Sequence, residues 1–332
     1  MLLRKFRENG PDVLFLIFVL MVFTWMGAFL HPVMPSAEGS DDMPMPLFKI
    51  LLGITGFSPF ISIFSAFLIM LLMAFLVVNF NTNAFFISER TFLPALVYVV
   101  ISGMNPQYQL MNPALPAAPF LILAIRKIMD SYKVQGTACS FYDAGILIAT
   151  GSLFYAGMIW FGILLIVAIL VIRPFSIREI VISLAGLLTP LFIFTGFYYV
   201  LGYDMDYLRS AVNYNLFAGE AVTHLPLLNI IVLLIAGAVV LVSVSHLLGA
   251  LKEKRIKSRK TFTLLFWTFF ISAGTFVAFK PVSLEIFWIA SIPLTYFLCH
   301  YFVFSRKKKI TGMLFTLLLI LVIVIQAVNL AG

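Results

Sequence analysis

The sequence predicts an all-α membrane protein with about eleven transmembrane helices and no soluble domain. Of its 332 residues, 62% are hydrophobic and only 11% are charged, whereas a soluble domain has about 25% charged residues. Many of the apolar runs approach the roughly 20 residues that a helix needs to cross the hydrocarbon. The basic residues lie in short segments between these runs, as in membrane loops. The net charge of +8 therefore does not indicate nucleic-acid binding.

Eleven apolar segments make up the predicted spans, and together they place residues 1–332 in a single membrane domain. The spans lie near 12–30, 57–79, 91–103, 113–125, 140–156, 158–172, 180–200, 226–250, 262–279, 286–304 and 310–329. The third and fourth spans are too short to cross a bilayer comfortably alone. Proline and asparagine crowd this region, and irregular backbone at membrane depth must be buried in protein or line a wet cavity. We expect two short helices that meet at an outward-facing turn around Asn105 to Asn112.

The distribution of basic residues predicts the orientation of the chain. With the N-terminus in the cytoplasm, 19 of the 22 Lys and Arg residues fall in inner loops. Lys49, Arg209 and Lys280 remain outside. Cytoplasmic loops of membrane proteins carry such an excess of positive charge. We therefore expect a multi-pass protein of the bacterial inner membrane, with residues 251–261 as a basic cytoplasmic loop.

The first outer loop, residues 31–56, carries three acids, Glu38, Asp41 and Asp42. Such acids could serve as a general base near the membrane surface or bind a divalent cation. The alternative is a solvated loop without a catalytic role, which is polar because it lies outside the membrane. Residues 47–56 form an apolar stretch with one lysine, Lys49, which suits a helix lying along the membrane interface.

A second group of polar residues on the outer side offers candidate binding residues. Asp204 and Asp206 form an Asp-x-Asp pair, which can chelate a metal, and Arg209 follows. The alternative is a hydrated amphipathic segment. Asn105 and Asn112 each precede a proline, so turn chemistry explains them, although amides beside half-length helices could also bind a headgroup or sugar.

Metal and cofactor sites are not predicted. His31 and His224 fall outside, whereas His246 and His300 fall near the inner interface, so the four cannot share one ion across about 30 Å of hydrocarbon. The chain has no zinc-protease, phosphate-loop or nucleophile-elbow motif. The chain has two cysteines, one of them Cys139. This small number does not suggest a disulfide framework or a zinc site.

Two stretches resemble a known family. One runs from Asn112-Pro113-Ala114-Leu115-Pro116 to Tyr132, and the other from Gly151-Ser152-Leu153-Phe154-Tyr155 through Arg173-Pro174-Phe175 to Leu188-Thr189-Pro190. They are similar to uncharacterised bacterial polytopic inner-membrane proteins that are often labelled carotene oxygenases, and the resemblance covers the whole chain. The separated histidines argue against that label, since an oxygenase iron needs several converging histidines.

The order of parts is also similar to that of membrane glycosyltransferases that use polyprenyl-phosphate sugars. That similarity implies Glu38, Asp41 or Asp42 as the essential acid, residues 47–56 as the interfacial helix, and Lys49, Arg209 and Lys280 as candidate phosphate binders. A non-enzymatic subunit or scaffold of an envelope machine is the alternative, and a transporter is a third hypothesis. The expected partners are membrane lipids, a polyprenyl-phosphate lipid or other membrane subunits.

Overall fold

The computed structural model describes most of the chain as α-helix. It describes residues 3, 6, 10–33, 43–84, 91–132, 138–172, 176–219 and 226–331. Within these ranges there are 13 α-helices and no strand. The prediction of an all-α fold is confirmed.

The helices follow one another with short connections. In chain order they are α1 (Pro11–Leu30), α2 (Pro46–Thr55), α3 (Pro59–Ala84), α4 (Leu93–Ser102), α5 (Ala114–Asp130), α6 (Ala138–Ser152), α7 (Gly162–Ile172), α8 (Ile177–Val200), α9 (Met205–Asn213), α10 (Leu227–Ala250), α11 (Ile256–Ala278), α12 (Phe287–Phe304) and α13 (Lys308–Ala331). Short 3-10 turns cover Pro106–Tyr108, Ala156–Phe161, Leu251–Glu253 and Leu284–Ile286, and a π-helical turn covers Tyr214–Ala218.

Seven of these helices are long and apolar enough to cross a membrane, as expected for a multi-pass membrane protein. They are α1, α3, α8, α10, α11, α12 and α13, with α10 and α12 extended by their adjoining 3-10 turns. The other four predicted spans coincide with α4, α5, α6 and the Ala156–Ile172 segment, all of which are shorter. The described chain therefore has seven helices of spanning length, and the prediction of eleven spans does not follow from it.

The third and fourth predicted spans form the expected pair of short helices. Helix α4 has 10 residues and α5 has 17. The intervening residues 103–113 contain the short 3-10 turn at Pro106–Tyr108. Helix α5 continues to Asp130, beyond the expected end near residue 125.

Helices α4 and α12 form the centre of the bundle. All 10 residues of α4 are buried, and α12 packs against α4, α5, α10, α11 and α13. Tyr296 of α12 donates a hydrogen bond from its hydroxyl to the carbonyl of Val77 in α3 at 2.8 Å. The hydroxyl of Tyr98 in α4 lies 3.4 Å from the carbonyl of Trp288 in α12. These hydrogen bonds give the hydroxyl groups of both buried tyrosines a partner, and they fix the relative position of three helices.

The helix ends gather at two opposite ends of the bundle. At the end we call the basic end, Lys260 donates to the carbonyl of Ile172 at 2.9 Å, and Lys127 pairs with Asp143 at 2.9 Å. If successive long helices run in opposite directions, all described basic residues fall at this end except Lys49, Arg209 and Lys280. These three belong to what we call the distal end.

Helices α6 and α8 cross with their backbones in close contact. A Cβ atom at Gly186 would collide with the carbonyl oxygen of Tyr142, and one at Gly145 would lie 2.6 Å from the carbonyl oxygen of Ser183. Small residues permit such crossings between membrane helices, where close van der Waals packing drives association. Because α8 buries little of its surface elsewhere, this crossing holds it to the bundle.

We expect Gly186→Ala to lower the free energy of unfolding by about 1–3 kcal/mol, since the new methyl group would force the two backbones apart. Gly196→Ala is the matched control in the same helix, where a Cβ would meet nothing within 4 Å. The control should leave stability unchanged or raise it by up to about 1 kcal/mol. Thermal unfolding of both variants in one detergent measures the difference, and equal stability would contradict the close crossing.

Candidate functional site

A cavity of about 360 Å³ opens at the distal end between α1, α13 and the turn that joins α4 to α5. We call it the amide cavity. Its wall includes Gln107 and Gln109 of the turn, Asn329 of α13, and His31 and Val33 after α1. Among the residues that the structure describes, its lining contains no Asp, Glu, Lys or Arg. The lining therefore suits a ligand that is polar and uncharged.

Two buried amides of this turn have no hydrogen bonds among the described residues. Asn105 and Gln109 are each 2% exposed, and neither the oxygen nor the nitrogen of either side chain has a partner among the described residues. A buried amide left unpaired costs about 1–3 kcal/mol. Native proteins rarely keep such groups without a bound partner. Gln109, which lines the amide cavity, is therefore the strongest candidate for a ligand-binding group here, and Asn105 is a second unpaired amide that lies outside the cavity lining.

A third glutamine near the turn has a structural role. Gln326 of α13 is fully buried and donates from Nε2 to the carbonyl of Gly103 at 2.8 Å, while its Oε1 has no partner within the described chain. Gly103 follows the last residue of α4, where helix carbonyls lack intrahelical partners. Gln326 thus caps a helix that ends inside the bundle.

The three candidate catalytic acids, Glu38, Asp41 and Asp42, lie outside the described residues. The chain on either side of them is described. Val33, the last described residue before them, lines the amide cavity. Met43, the first described residue after them, accepts a hydrogen bond on its carbonyl from Nδ2 of Asn215 at 2.7 Å.

Helices α2 and α9 are in contact with each other. Lys49 of α2 places its ammonium 4.1 Å from the ring centroid of Tyr207 in α9, and the Tyr207 hydroxyl lies 3.5 Å from the carbonyl of Pro44. Helix α2 covers most of the predicted 47–56 segment and buries Phe48 while exposing Ile50. Its amphipathic character agrees with a helix at a membrane interface.

Asp206 and Arg209 lie in α9 and Asp204 immediately precedes it, and local structure accounts for the two acids. Asp204 is the N-cap of α9 and accepts a hydrogen bond from the backbone N–H of Asp206 at 2.9 Å. Asp206 lies in the first turn, where the helix dipole favours negative charge. All three side chains are exposed. Within the described ranges, no group of three potential ligands could hold a metal ion.

The remaining predicted binding residues lie apart. Oδ1 of Asn112 accepts from the backbone N–H of Leu115 at 3.0 Å and Nδ2 donates to the carbonyl of Tyr108 at 3.1 Å, so its amide holds the turn and the start of α5. Lys280 is exposed after α11. The structure thus brings Lys49 near α9, whereas Asn112 and Lys280 are not part of the amide cavity.

The sequence analysis did not select Gln109 or Gln326. Gln109 stands between two proline-containing turns, and Gln326 is an isolated amide in an apolar helix. An isolated polar residue in a membrane span is a recognisable signal of internal packing or function. No protein family model, no curated protein and no solved structure matches this chain. The two family resemblances therefore remain predictions.

We expect Gln326→Met to lower stability and Gln109→Met not to lower it. Gln326→Met leaves the buried Gly103 carbonyl without its partner and should lower the free energy of unfolding by about 1–3 kcal/mol. Gln109→Met removes an unpaired amide at similar volume and should leave stability unchanged or raise it. Thermal unfolding of the purified variants tests this, and a large loss of stability in Gln109→Met would mean that its amide has a structural partner.

Proposed function

We propose that this protein is a multi-pass enzyme of the bacterial inner membrane that transfers a sugar from a polyprenyl-phosphate donor at the outer face. The observation that carries the proposal is the pair of buried, unpartnered amides at Asn105 and Gln109. Gln109 lines the amide cavity, as does Val33, the last described residue before the acid-bearing loop, and Asn105 precedes Pro106 of the same lining. The proposal also retains the predicted orientation, with the basic end in the cytoplasm.

The chemistry of the amide cavity supports a sugar as ligand. A carboxamide offers two N–H donors and a carbonyl acceptor, and a sugar hydroxyl both donates and accepts. Binding of a sugar would offer hydrogen-bond partners to the amide of Gln109 without placing a charge beside it. The volume of about 360 Å³ lies within the usual range for small-molecule sites, about 300–1,000 Å³.

The proposed reaction needs one carboxylate as general base. An acid of the loop would remove the proton of an acceptor hydroxyl while the acceptor oxygen bonds to the anomeric carbon of the sugar. The bond from that carbon to the phosphate oxygen breaks, and the polyprenyl phosphate leaves with the electron pair. Asp41 and Asp42 are preferred over Glu38 because they are closer in sequence to α2, which would hold the loop at the lipid surface.

Two other hypotheses are less well supported. A transporter needs charged groups near the bilayer centre, whereas the buried carboxylate of the described chain, Glu179, lies in the first turn of α8 at the basic end. A non-enzymatic subunit of an envelope complex would not need Asn105 and Gln109 to stay unpaired. The mutational test below separates this second alternative from the enzyme.

Reporter fusions test the proposed orientation. Fusions after Lys260 and Lys309 should report the cytoplasm, and fusions at Ser40 and Asn213 should report the outer side, because the basic end carries nearly all the positive charge. A cytoplasmic signal at Ser40 would refute the orientation and, with it, an outer-face enzyme.

The general-base role is tested by complementing a strain that lacks the gene. The double variant Asp41→Asn, Asp42→Asn keeps side-chain size but removes the basic oxygen, so the rate should fall about 10²–10⁴-fold. Gln109→Met should also lose function because the cavity loses a sugar-binding amide. Protein abundance should remain normal in both. Asp130→Asn, an exposed acid at the basic end, is the matched control and should complement fully.

The outcomes separate the hypotheses. Full complementation by the double variant at normal abundance would exclude these two aspartates as the base. If Glu38→Gln in addition still complements, the enzyme proposal fails and the subunit hypothesis gains support. Loss of function only in variants with reduced abundance would indicate a structural role and would also count against the enzyme.

A further inference from the structure

A second cavity, of about 680 Å³, lies at the basic end between α10 and α12. We call it the basic cleft. Lys254, Arg306 and Lys307 line it together with His246, and Glu253 is the one acidic residue among its described lining. Three cations and one acid leave the cleft with an excess of positive charge. Such a cavity favours an anionic ligand.

Lys254 is held in place inside the cleft. Its Nζ lies 3.2 Å from the ring centroid of Phe304, the last residue of α12, and the side chain is only partly exposed. Burial lowers the pKa of Lys254, and the neighbouring Glu253 acts in the opposite direction. An anion bound beside Lys254 would offset the cost of burying its charge.

His246 adds an unsatisfied polar group to the same cleft. Its Nδ1 is buried without a hydrogen-bond partner in the described structure. The ring packs edge-on against Tyr301, with centroids 5.3 Å apart, and lies 5.8 Å from the ring of His300. These contacts fix the imidazole on α10, where it can supply a hydrogen bond to a ligand in the cleft.

An apolar groove of about 410 Å³ continues along the same two helices. On α10 it is lined by Gly237 and Leu241, directly before Val242 of the basic cleft. On α12 it is lined by Leu298, one turn before Tyr301 of the cleft. The site therefore has a cationic end at the helix termini and an apolar extension toward the middle of the bundle.

We propose that the basic cleft and the apolar groove together bind one anionic phospholipid. The phosphate would lie among Lys254, Arg306 and Lys307 with His246 as a hydrogen-bond partner, and an acyl chain would occupy the groove. Basic pockets between transmembrane helices bind anionic headgroups in this way. A free phosphate would use only the cleft, so the groove distinguishes a lipid from a free anion. This proposal is independent of the sugar transfer proposed at the distal end.

Binding can be measured by native mass spectrometry on the purified full chain in neutral detergent, titrated with phosphatidylglycerol. Phosphatidylcholine with the same acyl chains is the uncharged comparison, and excess inorganic phosphate is the competitor. We expect phosphatidylglycerol to bind more tightly than phosphatidylcholine, and inorganic phosphate to leave it bound. Efficient displacement by inorganic phosphate would identify a free-anion site and overturn the lipid proposal.

Charge variants locate the headgroup. The triple variant Lys254→Gln, Arg306→Gln, Lys307→Gln should weaken phosphatidylglycerol binding about 100-fold, or about fivefold for each charge removed. The control Lys252→Gln, Arg255→Gln, Arg259→Gln removes the same charge from exposed neighbours that do not line the cleft. The control should change binding less than about threefold, because exposed charges at a distance are screened. Equal losses would indicate diffuse attraction and refute a specific cleft.

A groove variant tests the position of the acyl chain. A Cβ at Gly237 would meet nothing within 4 Å, so Gly237→Phe can fill the groove without a backbone clash. It should weaken phosphatidylglycerol binding about tenfold, through loss of buried chain. Gly249→Phe is the control on the same helix, also in open space and outside the groove. Unchanged binding in Gly237→Phe, with normal thermal unfolding in both variants, would overturn the proposal.

Discussion

The fold depends on protecting a helix that is too short to reach across a bilayer. Helix α4 has 10 residues and rises about 15 Å, half of a hydrocarbon core of about 30 Å. Its end carbonyls and the turn that follows would be exposed to lipid without cover, at several kcal/mol for each unpaired group. In the bundle, every residue of α4 is buried against α1, α3, α12 and α13. Gln326 donates a hydrogen bond to the Gly103 carbonyl at the end of the helix.

The same arrangement creates the candidate site. Because α4 ends early, the turn to α5 is surrounded by the ends of longer helices, and a recess remains above it. The side-chain amide of Asn112 forms its hydrogen bonds within the turn and with the start of α5. The side chains of Asn105 and Gln109 have no hydrogen-bond partner among the described residues. Two unpaired amides are a substantial cost in a protein whose net stability is only about 5–15 kcal/mol. Their retention is easier to explain by ligand binding than by packing.

The sequence predicts the parts of this fold that depend on local composition. Long apolar runs locate the seven full-length spans, and the prolines near α4 and α5 indicate two short helices. The sequence does not predict which polar side chains form hydrogen bonds in the folded protein. Asp204 turns out to cap α9, and Gln326 bonds a carbonyl more than 200 positions away, while Gln109 bonds nothing described. These differences arise from tertiary contacts between distant segments, which spacing along the chain does not encode.

Charge divides the two ends of the molecule into different kinds of binding surface. At the distal end the ammonium of Lys49 already lies over Tyr207, and Arg209 and Lys280 are exposed outside the amide cavity. A phosphate-bearing donor there would gain little from direct ion pairing, since exposed pairs contribute about 0–1 kcal/mol. Discrimination would then have to come from the sugar, through hydrogen bonds that leave a buried amide unpaired when the wrong ligand binds. The basic end has the reverse character, because its convergent cations would select an anionic headgroup and leave the remainder of the proposed ligand to the apolar groove.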